Sequence, residues 1–72
     1  MKTYIISAKE RDGVAVVPMR KGKATKDDAM QSAWLFSQTT TLCDVVLTQG
    51  SKHIVTYRDG KITEFNGKEH KP

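Results

Sequence analysis

Arg20-Lys21-Gly22-Lys23-Ala24-Thr25-Lys26-Asp27-Asp28 is the stretch that decides the reading of this chain. Thr25 is a strong helix N-cap, and Asp28, three residues on, makes a capping-box variant with Asp in place of Glu. Asp27 and Asp28 also complement the positive end of a helix dipole. A helix is therefore expected from about Lys26 to Gln38. Upstream of it four cations fall within seven residues, Arg20 to Lys26. They read as a basic loop beside the unpaired N–H groups of a helix start, and together these form the expected anion-facing surface.

Working outward, Ala29, Met30, Ala33, Trp34 and Ser37 share one stripe of the helix, and Leu35 and Phe36 widen it. Trp34 is expected in the core. Thr39-Thr40-Thr41, β-branched throughout, should end the helix. Before it, Thr3–Lys9 reads as a strand with Tyr4, Ile6 and Ala8 on one face and Thr3, Ile5 and Ser7 on the other. Arg11-Asp12-Gly13 reads as a hairpin turn, and Val14–Val17 as a second strand. Pro18, lacking a donor, places that strand at an edge or ends it. After the helix come strands at Leu42–Thr48, Lys52–Tyr57 and Ile62–Phe65, joined by turns at Gln49-Gly50-Ser51 and Arg58-Asp59-Gly60-Lys61. Asn66–Pro72 reads as a flexible polar tail. The expected fold is α+β: an antiparallel sheet of four to five strands in ββαββ order with one helix on one face. It forms a single domain over residues 1–65, with the tail at 66–72. The face away from the helix would be wet or would meet a partner.

Seventy-two residues bury too little surface to carve a deep catalytic pocket readily, which favours a binding module over an enzyme. Twelve Lys and Arg against eight Asp and Glu leave a net charge of +4, with a pI near 9.4. A basic surface of this kind suits nucleic acid, an acidic protein face or an anionic membrane, and equally serves solubility alone. The single cysteine, Cys43, permits no internal disulfide. No stretch approaches the apolar length of a membrane span, and the start lacks the apolar run of a signal peptide. The expectation is a protein of a reducing cytoplasm.

Few groups converge for chemistry. Cys43, Asp44 and His53 form a triad on paper, but adjacent strand residues point to opposite faces. Cys43 is read as a small buried hydrophobe. His53 and His70 are far apart, and no paired Cys or His spacing supports a metal site. Gly22 is a lone glycine and no phosphate-binding loop. No catalytic residue, metal or cofactor is expected. The candidate partner-binding residues are Arg20, Lys21, Lys23 and Lys26 in the basic stretch, and Lys52, Tyr57, Arg58 and Lys61 around the last hairpin. The cations would meet phosphate, and Tyr57 would either stack on a base or pack against the helix.

The opening Met1-Lys2-Thr3-Tyr4-Ile5-Ile6, the helix with Ala29 and Ala33, the strand Asp44-Val45-Val46-Leu47 and the closing Ile54-Val55-Thr56-Tyr57-Arg58-Asp59-Gly60-Lys61 resemble small phage-encoded type I anti-CRISPR proteins. The resemblance is one of element order. It implies a non-enzymatic inhibitor that occupies a surface of a bacterial crRNA-guided surveillance complex in the host cytoplasm, as a monomer or weak dimer. The alternative from the residues alone is a basic nucleic-acid-binding protein of low sequence specificity.

Overall fold

A row of small residues on one helix and two rows of β-branched and aromatic residues on the strands build the core. The computed structural model describes residues 2–11, 13, 16–39 and 42–70. Its elements are β1 (Lys2–Glu10), β2 (Val16–Ala24), α1 (Lys26–Thr39), β3 (Cys43–Gln49), β4 (Lys52–Arg58), β5 (Lys61–Phe65) and β6 (Lys68–Glu69). The strands form one antiparallel sheet in the order β2-β1-β3-β4-β5-β6. Because β2 and β3 both run antiparallel to β1, they are parallel to each other. The segment between them must cross over β1, and α1 is that crossover.

Thr25 starts the helix: its hydroxyl accepts the Asp28 N–H at 3.2 Å, and its carbonyl accepts the Ala29 N–H at 3.0 Å. Ala29, Ala33 and Ser37, spaced by four, are the buried residues of α1. Their small side chains bring the helix close to the sheet, where it rests chiefly on β3, then on β4 and β1. Tyr4, Ile6, Val45, Leu47, Val55 and Tyr57 face it from the strands and are buried. The register confirms the shared face, since Ile6 lies opposite Leu47, Leu47 opposite Val55, and Val45 opposite Tyr57.

A polar latch fixes the C-terminal half of α1. The Trp34 indole Nε1–H donates to the Gly60 carbonyl at 2.9 Å. The Gly60 N–H donates to Ser37 Oγ at 3.0 Å, and that hydroxyl donates to the Trp34 carbonyl at 2.6 Å. Both polar groups of Gly60 are thus satisfied by the helix. Asp59 and Gly60 have φ of 53° and 81°, the pair of positive angles of a two-residue I′ hairpin turn. Trp34 is therefore a half-exposed clamp on a turn, at 38 % exposure, and not the core residue that helical spacing suggested.

Three further expectations are corrected. Arg20–Ala24 belongs to β2 and is not a loop, because Pro18 sits on the edge strand, where its missing donor costs no ladder bond, and a bulge at Met19 carries the pairing past it. The sheet has six strands, with β6 in the segment read as a tail. Its turn is Asn66-Gly67, with φ of 52° and 79°, a second I′ turn. Cys43 is half-buried and not a core residue. The Arg11-Asp12-Gly13 turn and the Thr40-Thr41 helix stop lie largely outside the described residues.

Gly60 and Gly22 give opposite expectations for the same change. Gly60→Ala places a Cβ 3.2 Å from Gln38 at a left-handed φ, and should lower unfolding free energy by about 1–2 kcal/mol. Gly22→Ala meets nothing within 4 Å and should be neutral or stabilising by up to about 1 kcal/mol. Urea denaturation of both variants measures the contrast.

Candidate binding surface

Strand alternation sorts the cations of the chain. On the face away from α1, the register aligns cross-strand rows. One runs Val16, Lys9, Asp44, Arg58, Lys61, and the next runs Pro18, Ser7, Val46, Thr56, Glu64, Glu69. A third runs Lys21, Ile5, Thr48, His53, and a fourth holds Lys23 beside Thr3. No described element covers this face. Over β1 and β2 it carries Lys9, Lys21 and Lys23, with the uncharged Thr3, Ile5 and Ser7 between them and Val46 and Thr48 beside them on β3. Toward β5 and β6 it carries Glu64 and Glu69.

The row through Asp44 is an ion network. Arg58 grips Asp44 with both prongs of its guanidinium, Nε to Oδ1 at 2.8 Å and Nη2 to Oδ2 at 2.9 Å. Arg11 Nε reaches Asp44 Oδ1 at 3.2 Å while its Nη2 meets Asp59 Oδ1 at 2.9 Å. One half-buried carboxylate thus holds the end of β1, β4 and, through Arg11, the β4–β5 turn. The hydrogen bond from Arg58, aided by its charge and by Arg11, holds the Asp44 carboxyl below its ordinary range. The hydrogen bond to Asp59 raises the Arg11 guanidinium. By contrast, among the described residues no ion pair joins Lys9, Lys21 or Lys23 to a carboxylate.

The expected site residues separate accordingly. Lys21 and Lys23 lie on the open face, and Arg58 and Lys61, far away in sequence, join them there. Arg20 falls on the opposite face of β2, beside a groove along the helix. Lys26, on the first turn of α1, lies 5.7 Å from the centroid of the Phe65 ring. Lys52, opposite Gln49 beyond a bulge in β4, projects at the sheet end on the helix side. Tyr57 is 6 % exposed and packed in the core, and burial raises its phenol, so its ring has no face for a base. The basic stretch is thus no single anion site: a strand points successive residues to opposite sides, and the Thr25 cap with Asp27 and Asp28 occupies the helix start. Lys9 was missed, although its odd-numbered spacing with Thr3, Ile5 and Ser7 marked its face.

His53 is engaged on both ring nitrogens. The Gly67 N–H donates to Nδ1 at 2.8 Å, which leaves the proton on Nε2, 2.8 Å from the Thr56 hydroxyl. It ties β4 to the β5–β6 turn, and its Nε2 proton faces Thr56 and not Cys43. Among the described residues no cluster of three His, Cys, Asp or Glu has metal-binding geometry, and no helix is long and apolar enough to cross a membrane. Comparison with protein-family models, with curated proteins and with solved structures yields no match.

Asp44 gives the surface a defined acid sensitivity. Its folded-state pKa lies below the unfolded value of about 4. Its contribution is therefore complete above that value and is lost as pH falls through the folded pKa. Asp44→Asn should destabilise the chain at pH 7, with the difference from wild type shrinking steadily below about pH 4. Urea midpoints across pH 2–7 read the effect.

Proposed function

We propose that this chain is a non-enzymatic binding protein that inhibits a bacterial nucleoprotein complex by occupying one of its surfaces. Its open sheet face would lie against phosphate. The observation that carries the reading is the group of exposed lysines over β1 and β2, Lys9, Lys21 and Lys23, which join no ion pair among the described residues. Lys21 and Lys23 are two residues apart on one face, about 6.6 Å along the strand, a step comparable to successive phosphates of an extended nucleic-acid strand. Lys9 adds a third charge on the neighbouring strand. Thr3, Ser7 and Thr48 offer hydroxyls between them, and Ile5 and Val46 offer apolar contact to sugar or base.

Phosphate contacts supply affinity without sequence information. Its described rows carry no Phe, Tyr or Trp, and their one aromatic ring, His53, is half-buried and tied by hydrogen bonds to Thr56 and Gly67, so the face offers little platform for reading bases. Specificity would then come from the shape of the whole complex and from protein contacts. The resemblance in element order to type I anti-CRISPR proteins supports a guide-loaded type I surveillance complex as the first partner to test. A basic inhibitor of this kind does not mimic DNA. It would sit beside guide RNA or on an acidic protein patch and block target hybridisation or nuclease recruitment.

The test replaces Lys9, Lys21 and Lys23 by Glu, all on exposed positions where surface changes move stability little. Binding to the purified complex, followed by mobility shift at several salt concentrations, should fall steeply. Each single substitution should lessen the salt slope by about 0.7–1. Full inhibition by the triple variant would refute the reading. Equally tight binding to free duplex or single strands would instead establish the chain as a general nucleic-acid binder.

A further inference from the structure

The opposite side of β2 carries a second surface, which borders the lysine face at Lys23. α1 sits toward β3 and β4, which leaves a groove of about 420 Å³ between the helix and β2. Tyr4, Ile6, Gly22 and Ala24 form its floor and Leu35 part of its helix wall; Arg20 and Lys23 border it from β2, and Asp28 is the one carboxylate among its lining residues, at the helix start. Leu35 is 49 % exposed and offers an apolar wall to the groove. Gly22 lies directly opposite Tyr4, and nothing stands within 4 Å of the position a Cβ would take. The floor is thus open at Gly22 out to the edge of the sheet.

That edge is β2 itself. Among the described residues β2 pairs on one side only, with β1. It is nine residues long and exposed over all but its last, whereas β6 at the other edge has two residues. An edge strand keeps alternate N–H and C=O groups pointing outward, ready to pair with another strand. Its charge selects the partner. β2 contains Arg20, Lys21 and Lys23 and no acidic residue, so pairing with a second copy would set like charges side by side. Pro18 and the bulge at Met19 oppose pairing with any strand at that end and so confine an added strand to Arg20–Ala24. An added strand bearing carboxylates is complementary.

We propose that β2 receives an extended segment of a partner protein as an additional strand. The segment seats one large apolar side chain over Gly22, against Leu35 and Tyr4. It places one carboxylate, two residues away on the same face, against Arg20. The two-residue separation follows from β2, where Arg20 and Gly22 are themselves two apart and share the helix-side face. Main-chain pairing supplies affinity and the groove supplies selectivity. On Arg20 the carboxylate finds a planar guanidinium that, among the described residues, has no ion-pair partner. The inference concerns a protein strand, and its probes carry no phosphate, so it stands or falls separately from the lysine-face reading.

Fluorescence anisotropy of the full chain with labelled nine-residue peptides of alternating Thr and Val tests it. Their central residues are Glu-Thr-Leu or, for the opposite strand direction, Leu-Thr-Glu. One of the two orders should bind at least about tenfold tighter than its counterparts with Lys for Glu or Gly for Leu. Gly22→Val, whose Cβ meets nothing within 4 Å, should abolish the preference for Leu while the melting curve stays intact. Arg20→Glu should reverse the preference from Glu to Lys. Amide exchange at Lys21 to Lys23 should slow in the complex. The proposal is overturned if neither order is selective, if selectivity survives both substitutions, or if sedimentation shows the chain pairing with itself through β2.

Discussion

The grip of α1 on the Gly60 turn is the constraint from which the remaining arrangement follows. Ala29, Ala33 and Ser37 bring the helix down over β3 and β4, and Ser37 and Trp34 lock its end to both polar groups of Gly60. Each of these part-buried or exposed bonds contributes about 0.5–1.5 kcal/mol, so the latch resists sliding of the helix along the sheet. With its C-terminal half fixed over the β4–β5 side, one helix cannot also cover β2. The groove and the exposed edge result from that placement.

The second organising fact is the period of two. In the stretch Arg20 to Lys23, strand geometry divides neighbouring cations between a groove and an open face. The same geometry gathers Lys9, Lys21, Lys23, Arg58 and Lys61 on one side although they are distant in sequence. Charge on that side is graded. Around Asp44 the arginines are consumed by the network that ties β1, β4 and the β4–β5 turn together, while Lys9, Lys21 and Lys23 have no carboxylate partner among the described residues. Exposed ion pairs of the Arg11–Asp59 kind contribute little to stability. The bidentate Arg58–Asp44 pair, on a carboxylate only 14 % exposed, is the more consequential contact.

Much of this was legible in the residues. The Thr25 cap and the acidic first turn located the start of α1, and alternation in Thr3–Ala8 assigned both faces of β1 correctly. The Asp59-Gly60 turn was plain from its type. Asn66-Gly67 carried an equally strong hairpin signal, but only two residues of strand follow it, too few to show a pattern. The start of β2 was read at Val14–Val17, but its continuation to Ala24 was hidden for a different reason. Pro18 and the run Arg20 to Lys23 have low strand propensity, and the segment forms a strand because β1 offers it an edge, a tertiary effect that no local window contains. Trp34 was misread because spacing identifies the helix face but not the turn that happens to lie beside it. The network at Asp44 joins residues up to 48 apart in sequence, which the pattern of any single element cannot reveal.

Native-state amide exchange of the free chain tests most directly whether the helix leaves β2 open. Amides of β3 and β4 around the fully buried Val45, Leu47 and Val55 should exchange only with global unfolding. Those of β2 from Lys21 to Ala24 should exchange faster, through local opening. Protection of β2 equal to that of β3 would contradict the placement of α1, and with it both the open lysine face and the strand-accepting edge.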